Sequence, residues 1–480
     1  MDSLSAAEAL RSRKIEEETK MRERVEAIGY PLPEDIEKLK WYGDFDGCLA
    51  LIDQRMAENI PETLREKLRM EQVQIQRMRQ DYVVTPEEAN CVLGENLRDW
   101  KPEELEQLRR ENVIDWIFVK GQVRYIDSFY SNLIKIRGDL AARQLHPRMP
   151  GPDKRTETEI RNEIIAGMKA HGGAVCTLKI RSRLCVSLEP GQEQETLRVW
   201  LPYPLEKFQV EHLRLEQVHP APVAIAPADA VQRTVYFEGN AESLKETELV
   251  YTVENRMRYV EPDPDQVSPE QPDFDTGEQL PHIVFTPYLR DLTVEVLAGE
   301  TNPLKKARRI YDFITQQVNY SYMRGYISLP VIPEYCASRL RGDCGVQALT
   351  FITMCRIAGI PARWQSGLYS NENGADSHDW AMFYVAPYGW LWADCSYGGA
   401  AWRDGALERW DFYFGNLDPY RVVLTSEFQG DFTPQTQFLR SDPYDNQRGE
   451  VEFSSGPVLR RQWEGGSETL SCKVSWLDRI

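Results

Sequence analysis

The feature that most constrains this chain is an apolar run with sharp ends, CGVQALTFITMCRIA from Cys344 to Ala358. Gly359 suits the residue after a helix end and Pro361 forbids continuation, so the pattern predicts one buried helix over about Cys344–Ala358. Asp343 is the expected N-cap. That leaves Cys344 in the first turn, among backbone N–H groups that have no partner within the helix.

A cysteine so placed has unusual chemistry. A free thiol with a pKa of about 8.5 is only a few per cent ionised at neutral pH. A helix N-terminus and a nearby imidazolium both favour the thiolate. The N–H groups of that turn, Gly345 included, can also steady an oxyanion, a contribution of about 3–4 kcal/mol per donor. His378 follows 34 residues later and Asp394 another 16 beyond it.

These two residues are expected on one hairpin. His378 to Val385 is β-rich, Ala386-Pro387-Tyr388-Gly389 reads as a turn, and Trp390 to Cys395 returns. An odd-length loop centred on Ala386 would set His378 and Asp394 directly opposite each other on one face. A strict two-residue turn at Pro387-Tyr388 would put them on opposite faces. In the first case Asp394 accepts from one imidazole nitrogen while the other faces Cys344.

Composition narrows the function classes. A formal net charge of −18 opposes general nucleic-acid binding, which needs a face dominated by Lys and Arg. No uncharged apolar run reaches about 18 residues, so no membrane span is expected. The charged N-terminus lacks the apolar stretch of a secretory signal. Nine scattered cysteines with no CxxC indicate neither a disulfide framework nor a zinc cage. The expectation is a cytoplasmic protein with free thiols, no metal and no cofactor.

Four regions are read along the chain. Residues 1–150 are mainly helical, with Asp44 and Thr85 as N-caps and Pro86 in a first turn. Within them Ile114 to Tyr125 fits either a short hairpin or a buried helix. Pro147 to Lys154 reads as a linker. Residues 173–262 have the strand-and-turn rhythm of a β-sandwich. Glu261 to Pro281, acidic and proline-rich, reads as a linker or long surface loop. Residues 282–400 form an α+β core opened by a helix from Asn302-Pro303 to Gln317, with Ala307, Ile310, Tyr311 and Ile314 facing inward. Residues 401–480 are a β-rich extension. In it FGNLDPYRVV (Phe414 to Val423) and RSDPYDNQRGEVE (Arg440 to Glu452) fit structured loops better than a substrate rim.

The centre of the chain resembles the transglutaminase-like superfamily. The resemblance rests on Gly342-Asp343-Cys344, Cys355-Arg356 with Gly359 to Arg363, His378 with Trp380, and Gly389-Trp390 with Asp394. It covers roughly residues 283 to 400. It implies a papain-like α+β core with Cys344 as nucleophile, His378 as general base and acid, and Asp394 as orienting carboxylate. It also implies an upstream aromatic or amide side chain as second oxyanion donor, for which Tyr322 is the candidate; Arg363 and Trp380 are candidate pocket walls. Asp379 departs from the family pattern, which more often has a small residue there.

The resulting expectation is a multidomain α+β cysteine hydrolase that cleaves an amide bond in a peptide or glycopeptide-like substrate through a thioester. Three alternatives stand beside it. One is acyl transfer to an amine, another a glycoconjugate-active enzyme on the same core, and the third a non-catalytic binding module. A peptide, protein or glycoconjugate is the expected partner, with no nucleic acid and no membrane. Oligomeric state is not legible.

Overall fold

Side-chain caps mark several of the helix starts. The computed structural model describes residues 25–147, 155–458 and 462–478, divided between two units. The linker expected at Pro147 to Lys154 lies almost wholly outside the described residues. Among the described residues, no helix is long and apolar enough to cross a membrane.

One unit comprises the described residues up to Pro147 together with Gln279–Val284 and Val318–Asp343. Its helices include Phe45–Met56, capped by the Asp44 carboxylate on the Gly47 N–H (3.1 Å), and Pro86–Asn96, which opens with a full capping box between Thr85 and Glu88. The ambiguous stretch before Tyr125 is a hairpin. Trp116–Val119 pairs with Gln122–Tyr125 across Lys120 and Gly121, both at positive φ, as a tight two-residue turn requires. The later segment is tied in by polar contacts. Gln74 donates to the Ile327 carbonyl (2.6 Å), Arg324 to the Tyr82 hydroxyl (3.0 Å), and Arg341 to the carbonyls of Asn112 and Val113. Asn319–Tyr320 and Arg341–Gly342 form a short parallel pair.

The second unit comprises residues 155–278, Phe285–Gln317 and the described residues from Cys344 onward. It begins with α1 (Glu157–His171), opened by a Thr156–Glu159 capping box. Strands β1 (Gly173–Val186), β2 (Thr196–Pro202), β3 (Val210–His219), β4 (Thr234–Asn240) and β5 (Glu246–Arg258) follow. Helices α2 (Pro287–Leu297) and α3 (Pro303–Gln317) come next, with Asn302 Oδ1 accepting from Leu304 and Lys305 N–H at the start of α3. Leu304, Ala307, Ile310, Tyr311 and Ile314 of α3 are buried. Helix α4 (Cys344–Ile357) is buried from Gly345 to Cys355, and the chain turns away from it at Gly359, with φ at +77°. The helix packs against α2, α3, β6 (Ala362–Asn371), β7 (Gly374–Val385) and α5 (Cys395–Arg403), and β8 (Gly389–Ala393) joins β7 to α5. The chain closes with β9 (Phe414–Gly415), β10 (Arg421–Thr425), β11 (Glu450–Phe453) and β12 (Trp463–Trp476).

The core sheet has the order β9-β8-β7-β6-β10, antiparallel throughout, with α4 packed on β6 and β7. Phe351 of α4 meets Phe383 of β7 edge to face, 5.7 Å between centroids. The sandwich is not closed by residues 173–262 alone. β12 pairs with β1 along its whole length and β11 pairs with β2, so strands from the end of the chain complete both sheets. β3 is longer than its sequence suggests. It is an edge strand with exposed Glu211, His212 and Arg214, and its polar alternation hides it.

Residues 261–278 are not a free linker. Gln271 exchanges hydrogen bonds with the Ala386 backbone (N–H to Oε1 2.9 Å, Nε2 to O 3.2 Å), and Ser268 N–H donates to the same carbonyl. Asp275 pairs with Arg363 at 2.5 Å. This segment straps the turn that joins β7 to β8.

Candidate active site

Four elements of the second unit converge on the site. Helix α4 brings Cys344 to its first position, half-buried. β7 carries His378 and Asp379, 5% and 7% exposed. The β7–β8 turn is the three-residue loop Ala386-Pro387-Tyr388, closed by Val385 and Gly389. It is odd in length but centred on Pro387, not Ala386. The register Ala381↔Ala393 therefore brings Asp394 level with Trp380, two residues from His378 on the same face. The expected direct opposition becomes a diagonal, and the diagonal suffices. His378 Nε2 lies 2.8 Å from Asp394 Oδ2.

Asp394 does two jobs, one with each oxygen. Oδ1 accepts from Tyr397 N–H (3.0 Å) and Ser396 Oγ (3.3 Å), capping α5. Oδ2 takes His378 and also the guanidinium of Arg421 (2.7 Å). Burial alone would raise this carboxyl's pKa. His378, Arg421 and the Tyr397 N–H outweigh burial and hold it well below the usual carboxylate range.

Arg421 is the residue that sequence reasoning missed. It is fully buried and reaches both oxygens of Asp418 at 3.1 Å, while Asp418 also accepts from the Tyr413 hydroxyl (3.0 Å). The rings of Tyr369 and Tyr397 lie 4.6 and 4.3 Å from the guanidinium. Gly367 lets β10 come this close, because a Cβ there would stand 1.9 Å from the Val422 carbonyl oxygen. The available signal was the Asp418-Pro419-Tyr420-Arg421 motif, whose two charges read as surface features until the fold buried them.

The thiol is oriented differently from expectation. Cys344 Sγ donates to Asp379 Oδ2 at 3.4 Å, and the Nδ1 of His378 has no hydrogen-bond partner among the described residues. Asp379 Oδ1 accepts from Gln447 Nε2 at 2.7 Å, and the same Nε2 donates to the His378 carbonyl at 3.0 Å. The segment Arg440 to Glu452 thus reaches into the site as well as joining the sandwich.

The remaining candidates separate. Trp380 is fully buried, donates to Gln365 Oε1 (2.6 Å) and stacks on the His378 ring at 5.9 Å, so it is a wall behind the imidazole. Tyr397 covers another side, 4.5 Å away. Gly345 is the second residue of α4 and is buried. Arg363 is engaged elsewhere, bound to Asp275 and lying over Trp390 at 4.8 Å. It pairs with Met382, four residues along β7 from His378, so it is not brought to the thiol. Tyr322 belongs to the other unit, where its backbone is clasped by the Asn132 amide and its ring lies under Lys135 at 4.0 Å.

Residues 290–395 match the sequence model of the transglutaminase-like superfamily core. An uncharacterized protein of Haemophilus influenzae is 26% identical over 241 residues, covering 43% of this chain, and this chain spans 65% of that relative's length. Among solved structures, a candidate cysteine protease from Cytophaga hutchinsonii is 15% identical, with a TM-score of 0.40, covering 64% of this chain and 94% of its own. The periplasmic domain of TgpA from Pseudomonas aeruginosa is 14% identical, with a TM-score of 0.27, covering 52% and 95%.

Proposed function

We propose, on the premise that residues 290–395 are a transglutaminase-like core, that this chain is a cysteine-dependent hydrolase of an amide bond in a peptide or glycopeptide-like substrate. The observation that carries the reading is the buried His378–Asp394 pair at 2.8 Å, on a strand packed against the helix that Cys344 heads.

In this reading Cys344 attacks the amide carbonyl after its proton passes to His378 Nδ1, forming a C–S bond and a tetrahedral oxyanion. Backbone N–H groups at the start of α4 stabilise that oxyanion. The imidazolium then protonates the leaving nitrogen, the C–N bond breaks, and a thioester remains. Water, deprotonated by the same imidazole, attacks the thioester and releases a carboxylic acid and the thiol. Asp394 fixes the tautomer that leaves Nδ1 as acceptor. Two buried carboxylates, Asp394 and Asp418, share the guanidinium of Arg421.

Trapping tests this directly. Incubating the full chain with a mixed peptide and glycopeptide amide library should leave an acyl group on Cys344, read by mass spectrometry, and Cys344→Ala should lose the adduct with little change in melting temperature. Absence of any adduct would favour a binding module. Release of the acyl group only on adding an alkylamine, with none lost to water, would mean acyl transfer.

A further inference from the structure

We infer that Asp379 is a positioning residue that competes with His378 for the Cys344 thiol proton, and that Gln447 from the C-terminal segment holds it in that role. The inference rests on Cys344 being the nucleophile, as proposed above.

The geometry is specific. Sγ points at Asp379 Oδ2, and the imidazole nitrogen that should take the proton makes no bond among the described residues. A hydrogen bond from S–H to a carboxylate stabilises the neutral thiol, and a carboxylate a few ångströms away opposes the thiolate by like charge. Both effects act against the helix N-terminus and against His378. The carboxylate cannot swing aside freely, because Gln447 Nε2 holds its other oxygen while also bonding the His378 carbonyl. One amide therefore fixes the acid and the backbone of the base together.

The charged surroundings are mixed. On β7 the neighbour is His378; beyond it lie Asp394 on the turn into α5 and Arg421 on β10. From the C-terminal segment come Asp445, 8% exposed, with Asp442 and Arg440 nearby. Burial, then Asp442, pushes the Asp445 carboxyl up to about 7, against its bonds to Ser366 and Asp379. Activation is then a rotation of the Cys344 side chain, from Asp379 Oδ2 to His378 Nδ1, followed by transfer of the thiol proton to that nitrogen.

The test is the pH profile of Cys344 alkylation by iodoacetamide in the full chain, read by mass spectrometry, which needs no substrate. The wild type should titrate like an ordinary thiol, near or above a midpoint of about 8.5. Asp379→Asn, a neutral isostere, should lower the midpoint by at least about 1 pH unit. Asp379→Ser, which removes the carboxylate with a smaller side chain, should do the same. Adding His378→Ala to either variant should make the drop smaller, because the thiolate loses the imidazolium that stabilises it while its proton goes to solvent. Gln447→Leu should shift the midpoint in the same direction by less. A midpoint unmoved in both Asp379 variants overturns the inference, as does a drop of undiminished size without His378. Acyl-enzyme trapping on the same variants separates the two claims: an unmoved midpoint with an acyl-enzyme present sinks only the role of Asp379, whereas no acyl-enzyme in any variant sinks the proposed function.

Discussion

Two buried acidic regions of the second unit respond to burial in opposite directions. Asp394, in the core, is held ionised by Arg421, His378 and the Tyr397 N–H. Glu450, on β11, also has donors, namely Ser441 Oγ at 2.9 Å and the Asp442 N–H at 3.3 Å, but Arg440 makes no direct contact with it and burial pushes it up to about 7. Asp445 behaves like Glu450. The difference lies in the partners. A guanidinium and an imidazole in direct contact repay the loss of water, whereas neutral donors and a more distant cation do not. The core thus carries a fixed negative charge beside the His378 imidazole, and the C-terminal segment carries acids that burial pushes up to about 7.

The comparison can be broken at several points. The largest effect is expected from Asp394→Asn, which lets the amide select the wrong imidazole tautomer; acyl-enzyme formation should fall about 10⁴-fold. Measuring the rate with thermal unfolding alongside separates chemistry from folding, and an unaltered rate would remove Asp394 from the mechanism.

Arg421→Met comes next. It leaves Asp394 and Asp418 facing each other without their cation, and should cost about 3–5 kcal/mol of stability in denaturant titrations. A loss below about 1 kcal/mol would mean that the two carboxylates do not depend on the guanidinium.

The pH dependence of stability should show both signs. Asp394, with a lowered folded pKa, contributes stability that is present above the unfolded value of about 3.9 and is lost as pH falls below it. Glu450 and Asp445, raised to about 7, act the other way: between about pH 4 and 7 the folded state holds more protons, so stability declines as pH rises and levels off above 7. Glu450→Gln should flatten that decline by about 1–2 kcal/mol. An unchanged slope would place the titration elsewhere.

The smallest effect is expected from Ser396→Ala, which removes one of four donors to Asp394 at 3.3 Å. A loss of about 0.5–1 kcal/mol is expected in the same denaturant titration. A larger loss would show that capping α5 matters more than the ion pairs behind it.

The candidate residues were legible because their placement is local. Cys344 is fixed by helix-start signals, and His378 and Asp394 by a single hairpin whose short loop limits the registers available. What failed was the loop's centre, one residue off, because turn geometry depends on packing against Gln271 and Ser268, far away in sequence. Arg363 goes elsewhere for a related reason. Its residue type suited a pocket, but Asp275, not visible as a partner in the sequence, binds its guanidinium. Arg421 and Gln447 were read as loop residues because a charged or amide side chain in a turn-like motif is usually solvated.

By itself the sequence determined a helix beginning at a cysteine, a hairpin carrying a histidine and an aspartate, and a sandwich rhythm before them. These follow from capping, periodicity and turn chemistry, each acting over a few residues. Only the tertiary structure decided that β11 and β12 return to complete the sandwich, and that Arg421 and Gln447 enter the site on the way. Only it decided which group the Cys344 thiol faces. Those outcomes depend on burial and on contacts between residues tens to hundreds of positions apart, where no local preference acts.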